Sequence, residues 1–460
     1  MARDKGYDAV LGDWHGGWSY RAGTVYDGAL CMNPSRMARG TLHRRTPRES
    51  VRSPLRKHRP DYWLIVLCAL LVSIGLVVVY SMGPALGEMH GENGSRFVTR
   101  QMIAIGLSVI AFFVTAKIPL EVWKKLTGPL LITAATATVI AMVTPVNPDY
   151  PAHRWIRIGG LSLQSVEFLK FALLIWVSAF LAGRHKAGLI GNNKQTLWPL
   201  LIGLVGVALV VAGVQSDLGS TGVILAMLIA MLFVAGVPLR GLAIAGLVVV
   251  IGLTLFIAPV SYRRERLANY LNPESNCLTT GYQACQALVA IGSGGIAGLG
   301  LGKSVSAYGY LPEAQNDSIF AIYAEKFGFL GTMILLGIFM TLFARMRQVT
   351  ERAPDLFSRL IVTGVLAWLS TQAIINIGAM LGLLPLKGIT LPFVSYGGTS
   401  VLFVGAALGL VYQISYFTSL QTRRQGRGMD EFTPRGRQHE DSNDRRRIRG
   451  AYHPNSSGRA

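Results

Sequence analysis

Six charged side chains stand inside, or at the ends of, stretches that are otherwise apolar: Glu167 and Lys170, Asp217, Asp317, and Glu325 with Lys326. A charge at the middle of a bilayer costs about 2.5–3.5 kcal/mol even on insertion scales, so such residues face a cavity or a partner. Glu167 and Lys170 are three apart on one helical face and can pair with each other. Glu325 reads as a member of a buried polar network, with Lys326 about 100° around the helix from it. Asp317 is placed differently. It stands where polar "YLPEAQND" gives way to apolar "SIFAIYAE", at the membrane–water border, where the head of a lipid-anchored molecule would lie. Asn316, Asp317 and Ser318 are also all N-cap types, and spacing alone favours a capping role.

The elements that carry these residues are membrane helices. Of 460 residues, 51% are hydrophobic and 15% charged, with mean hydropathy +0.40; a soluble chain carries charge on about a quarter of its residues. Crossing the hydrocarbon core takes about 20 apolar residues. About ten runs qualify, at 62–82, 99–117, 126–146, 166–183, 197–214, 218–238, 241–260, 318–344, 359–384 and 395–420. The expected fold is an all-α integral membrane protein: a basic tail over 1–60, a membrane domain over 61–420 and a second basic tail over 421–460. Residues 261–317 form a large loop between the seventh and eighth helices. Lys and Arg concentrate in both tails and in "KIPLEVWKK", "GRHKAGLIGNNK" and "RMRQVTERAPDLFSR", which an even number of spans places on one side. The positive-inside rule makes that side cytoplasmic, so Asp317 faces outward.

The net charge of +20 lies mostly in the tails. Basic tails beside membrane spans fix topology and touch anionic lipid headgroups. No folded basic domain or recognition motif accompanies them, so nucleic acid is not an expected partner. "GSGGIAGLGLGKS" imitates both a dinucleotide fingerprint and a Walker A loop, but those need a strand before and a helix after. Its glycines are expected to permit close backbone approach instead. Cys31, Cys68, Cys277 and Cys285 lack metal-ligand spacing. Cys277 and Cys285 share the outer loop, where a disulfide can form.

"HRWIRIGGLSLQSVEFLKF", "QSDLGSTGV", "GYQACQALVAIGSGGIAGLGLGKS", "GYLPEAQNDSIFAIYAEKFGFLG" and "NIGAMLGLLPLKGITLPFVSYGGTS" occur in this order. Together they resemble the SEDS family (shape, elongation, division and sporulation) from about the first span to Leu420. "YLPEA" and the Lys387–Gly388 pair are closest to its cell-division branch. The resemblance implies a ten-helix peptidoglycan glycosyltransferase that polymerises lipid II at the outer face of the bacterial cytoplasmic membrane. The alternatives are a lipid II flippase and a non-catalytic divisome scaffold, and the clustering of the motifs on one face favours the enzyme. Its implied partners are a class B penicillin-binding protein, other divisome proteins and an undecaprenyl-pyrophosphate-linked glycan. The family's essential acidic residue maps onto Asp317, the expected general base. Gln315, Asn316 and Ser318 stand where the family usually has His, Thr and Phe, and Val166 replaces a usual Pro. Substrate contacts are expected from Arg154, Trp155, Arg157, Glu167, Lys170, Lys303, Glu313, Lys387, Ser395, Tyr396 and Gly397. Trp155 is also an ordinary interfacial anchor type. No cofactor is expected, while Mg or Mn is a candidate for the pyrophosphate charge.

Overall fold

Lipid offers no hydrogen-bond partners, so each apolar run must satisfy its own amides by coiling. The structure is a computed structural model that describes residues 56–57, 59–91, 93–144, 154–158, 161–257, 277–279 and 281–418, with Arg264 and Tyr270. Most of both tails, most of 258–276 and the side chain of Arg157 lie outside the described residues. The helices are α1 (Tyr62–His90), α2 (Ser95–Lys117), α3 (Leu120–Lys125), α4 (Thr127–Val143), α5 (Ser165–Lys186) and α6 (Asn193–Val214). There follow α7 (Leu218–Ala235), α8 (Leu239–Ile257), α9 (Tyr282–Ser293), α10 (Ile319–Arg352), α11 (Leu356–Met380) and α12 (Gly398–Ser415). Among the described residues, eight helices are long and apolar enough to cross a membrane, and α4 and the apolar part of α8 are shorter apolar helices. These ten segments coincide with the ten apolar runs.

Local chemistry sets the helix ends. Asp61 caps α1 by accepting from Trp63 N (3.1 Å), and Asp217 caps α7 by accepting from Ser220 N (2.9 Å). Each satisfies an orphan amide of a first turn. Gly236 closes α7 in the left-handed region (φ 85°). The largest departure from expectation is α10, which continues to Arg352. Its last turns leave the apolar run and are held by charged pairs such as Arg347–Glu351 (2.9 Å, i,i+4).

Helix packing relies on small residues. α12 lies along α2, and a Cβ at Gly405 or Gly409 would fall 2.1 Å from Ser108 Oγ or 2.0 Å from Thr115 Oγ1. Those hydroxyls donate to Val401 O and Ala406 O at 2.8 Å each. Small residues four apart let two backbones approach, and such interhelical bonds contribute about 0.6 kcal/mol apiece. α5, α7 and α11 pack together around the fully buried Leu174, Met231 and Trp368.

Two strand pairs depart from a purely helical expectation. Strands β1 (Arg56–Lys57) and β4 (Phe417–Thr418) pair, and β2 (Trp155–Ile158) pairs antiparallel with β3 (Leu161–Gln164), Trp155 opposite Gln164. The segment expected as an outer loop before α5 is thus a hairpin. Alternating Trp-Ile-Arg-Ile and Leu-Ser-Leu-Gln around a Gly-Gly pair carried that signal. The segment expected as the large loop after α8 contains α9, and the Cys277–Cys285 disulfide joins α9 to the chain before it.

The glycine-rich segment does what backbone approach requires. α10 breaks at Gly328 (φ 64°), and Gly294–Gly300 runs beside the break. Leu299 N donates to Glu325 O (2.9 Å), Gly300 N to Lys326 O (3.0 Å) and Phe329 N to Gly295 O (2.9 Å). A Cβ at Gly298 would sit 2.2 Å from Lys326 O. Glu325 folds back onto the same segment, accepting from Ser304 Oγ (2.5 Å) and Val305 N (3.1 Å). Lys326 Nζ donates to Leu301 O (2.8 Å). Both charges belong to the network that stabilises a broken membrane helix, as the burial cost demands.

Candidate functional site

Asp317 lies one residue outside the start of α10, whose N-cap is Ser318. Ser318 makes no capping bond: its hydroxyl donates to Pro312 O (2.9 Å) and accepts from Gln283 Nε2 of α9 (3.1 Å). Of the three cap types that spacing offered, Ser318 takes the N-cap position and Asp317 stands one residue before it. Its half-buried carboxylate lies against the α11–α12 loop, where a Cβ at Gly388 would come 3.1 Å from Oδ2. Its backbone carbonyl accepts from Asn376 Nδ2 of α11 (2.7 Å).

The same loop gathers several of the expected residues. Ser395 Oγ accepts from Leu391 N and donates to Asn316 O, both at 2.7 Å. Tyr396 N donates to Gln315 O (2.9 Å), and its ring meets Phe97 at 6.1 Å between centroids. Gly397 N donates to Gln101 Oε1 of α2 (3.4 Å). Glu313 accepts from Asn316 Nδ2 (2.5 Å) and takes a left-handed backbone (φ 51°). Phe393 is left-handed as well (φ 67°). Left-handed backbone at a non-glycine residue costs of order 1–3 kcal/mol and persists where its surroundings over-determine it. Lys387 precedes Gly388 and lies beside Gly219 of α7, its Cβ 3.4 Å from where a glycine Cβ would be.

Glu167 and Lys170 form a buried ion pair (2.7 Å) on α5. Lys170 Nζ also reaches Gln372 Oε1 (3.4 Å) and lies 5.0 Å from the centre of the Trp368 ring. Gln372 Nε2 donates to Thr390 O (2.9 Å), which carries the pair's contact into the loop beneath Asp317. The ammonium is enclosed, with 1% of Lys170 exposed. Arg154 donates from Nε to Gln215 O (2.8 Å) and from Nη2 to Ser216 O (2.6 Å), bracing the turn before α7. Trp155 is 39% exposed on β2, Lys303 is exposed in the glycine-rich segment, and Arg157 lies on β2 with its side chain outside the described residues. Among the described residues, no three His, Cys, Asp or Glu side chains converge on a metal position.

Gln101, Gln283, Gln372 and Asn376 were not expected from the sequence. They are neutral amides, three of them in apolar runs, and charge counting passes over them. The available signal was spacing: Gln372 and Asn376 are four apart, on one face of α11, and amides in membrane helices bond across to neighbours.

A family model of cell cycle proteins, covering FtsW, RodA and SpoVE, matches residues 62–420. The chain belongs to that family, the SEDS family. Its relatives include stage V sporulation protein E of Bacillus subtilis, 34% identical across 79% of this chain and 99% of that one. A probable peptidoglycan glycosyltransferase FtsW of Coxiella burnetii is 35% identical, across 78% and 96%. Two solved structures share the SEDS fold. One is a chain of a peptidoglycan synthase complex that coordinates polymerization and crosslinking (TM-score 0.62, 27% identity, 77% of this chain and 97% of that one). The other is the rod shape determining protein RodA of Thermus thermophilus (TM-score 0.56, 26% identity, 77% and 96%).

Proposed function

We propose that this chain is a peptidoglycan glycosyltransferase that polymerises lipid II, with Asp317 as the general base. The observation that carries the assignment is the seat of Asp317. Its carboxylate is outside the α10 cap, half-buried, and held between the broken helix and the α11–α12 loop. The substrate's head is in water and its tail in lipid, so a base at this border meets the head without drawing the tail out of the membrane.

The acceptor's 4-hydroxyl attacks the anomeric carbon of the lipid-linked donor. The new glycosidic bond forms as the bond from anomeric carbon to pyrophosphate oxygen breaks, and Asp317 takes the hydroxyl proton. General-base assistance of this kind contributes typically about 10²–10⁴-fold. Pyrophosphate is already a good leaving group, so a single carboxylate suffices. Its developing charge calls for preorganised cations. Lys387, next to the Asp317 seat, is the first candidate, and Arg157 and Lys303 are further candidates. Arg154 acts through the turn it braces. Glu313, Ser395, Tyr396 and Gly397 shape the groove wall, Trp155 offers a ring for a sugar face, and Glu167 and Lys170 support the floor. Mg or Mn stays a candidate for the pyrophosphate charge, since one or two carboxylates with the substrate's own phosphate oxygens can hold such an ion.

The orientation follows from Lys and Arg placement, with both termini cytoplasmic and the site outside. The disulfide at Cys277–Cys285 supports it, since disulfides persist in oxidising compartments. A class B penicillin-binding protein is the proposed partner and the division septum the proposed location. The test is polymerisation of purified lipid II by the full chain with its cognate transpeptidase. Glycan strands from the native protein and none from equally folded Asp317→Ala are expected. Equal product from both would end the assignment of the base.

A further inference from the structure

Asn376 is a neutral residue on α11 that is only 1% exposed, and both hydrogens of its Nδ2 are in use. One goes to Asp317 O and the other to Ile389 O, each at 2.7 Å. The side chain therefore clamps two segments far apart in sequence: the turn that carries the carboxylate, and the loop that forms its wall. Its Oδ1 is buried with no hydrogen-bond partner. Nature of the packing alone does not require such a group. A leucine of similar size would fill the same space and leave no orphaned amide oxygen, so what the amide adds is the two bonds it donates. From the opposite side, Gly388 leaves room for the carboxylate, and the 3.1 Å approach to Oδ2 is tighter than an added methyl tolerates without displacement.

We infer that Asn376 and Gly388 are positioning residues that fix the Asp317 carboxylate for proton transfer, Asn376 through the backbone of its turn and Gly388 through the wall of its seat. The inference rests on Asp317 being the base. It adds a mechanical cause for the position of that carboxylate, because Asn376 couples it to the loop bearing Lys387. The base and the nearest proposed cation for the leaving group are then held in one register, which is the geometry that a concerted displacement needs.

The experiment is steady-state lipid II polymerisation by the full chain with its cognate transpeptidase, expressed per folded enzyme and measured below the onset of melting. Asn376→Leu is expected to lower kcat by about 10- to 100-fold, as misplacement of a catalytic group does, with KM for lipid II nearly unchanged. Gly388→Ala, which removes no hydrogen bond and displaces Oδ2 by only a few tenths of an ångström, is expected to lower kcat in the same direction but by less, about severalfold. The double variant should lose less than the product of the two, since both displace one carboxylate. Wild-type kcat in folded Asn376→Leu, a rise in KM alone, or fully multiplicative losses would each overturn the inference. If Asn376→Leu does not fold, Gly388→Ala decides: loss of kcat at constant KM supports the inference, and wild-type kcat overturns it. Asp317→Asn is assayed in parallel. Activity in that variant would strike the base itself, a failure distinct from tolerance at Asn376.

Discussion

At the residue scale, placement divides the charged side chains by task. Asp317 is held from its backbone, while Glu167 and Lys170 are closed off together in the bundle. Asp317→Asn keeps size and removes basicity, so polymerisation is expected to fall by about 10²–10⁴-fold while the melting temperature stays near that of the native protein. A thermal scan beside the lipid II assay checks both halves. The ion pair carries a different expectation. Lys170→Met alone strands a carboxylate whose Oε2 already lacks a partner, and breaking a buried pair costs about 3–5 kcal/mol. Glu167→Met with Lys170→Met removes both charges and should recover most of that stability. Comparing the unfolding midpoints of the single and double variants tests this.

At the element scale, the broken helix is the feature that shapes the site. Gly328 interrupts α10, and the glycine-rich segment repairs the gap by donating to the carbonyls of Glu325 and Lys326 and accepting from the amides of Phe329 and Leu330. Gly298 and Gly300 are both left-handed (φ 81° and 91°), but only Gly298 has backbone where a Cβ would go. Gly298→Ala should therefore lower the melting temperature markedly more than Gly300→Ala, whose cost is backbone strain of about 1–2 kcal/mol. Equal shifts would mean the close approach to Lys326 O is unimportant. The ten apolar runs were legible because lipid forces long uncharged runs into helices. The break at Gly328 was not, because glycine is ordinary in membrane helices and only its neighbour across the bundle reveals the gap.

At the scale of the whole molecule, orientation and the outer covalent link belong together. The Cys277–Cys285 disulfide joins α9 to the segment before it, and α9 reaches the Asp317 turn through Gln283 and Ser318. Replacing both cysteines with serine should cost about 2–3 kcal/mol, the loop-closure contribution for a short ring. A membrane-impermeant maleimide applied to intact cells should label the two cysteines only after reduction, and Cys277→Ser with Cys285→Ser should abolish that signal. Labelling that requires permeabilised cells would reverse the proposed topology.

The sequence by itself determined the membrane class and the number of apolar spans, since hydropathy acts locally along the chain. Its ordered motifs also determined the SEDS family, and Asp317 stood out by type and position. Only the tertiary structure decided how that carboxylate is held. Which amide reaches across from α11 to the Asp317 turn depends on residues 59 positions apart meeting at 2.7 Å. Hydrogen bonds between distant segments leave no periodic trace in a sequence, and a neutral asparagine in an apolar run shows its partners only after the helices have packed.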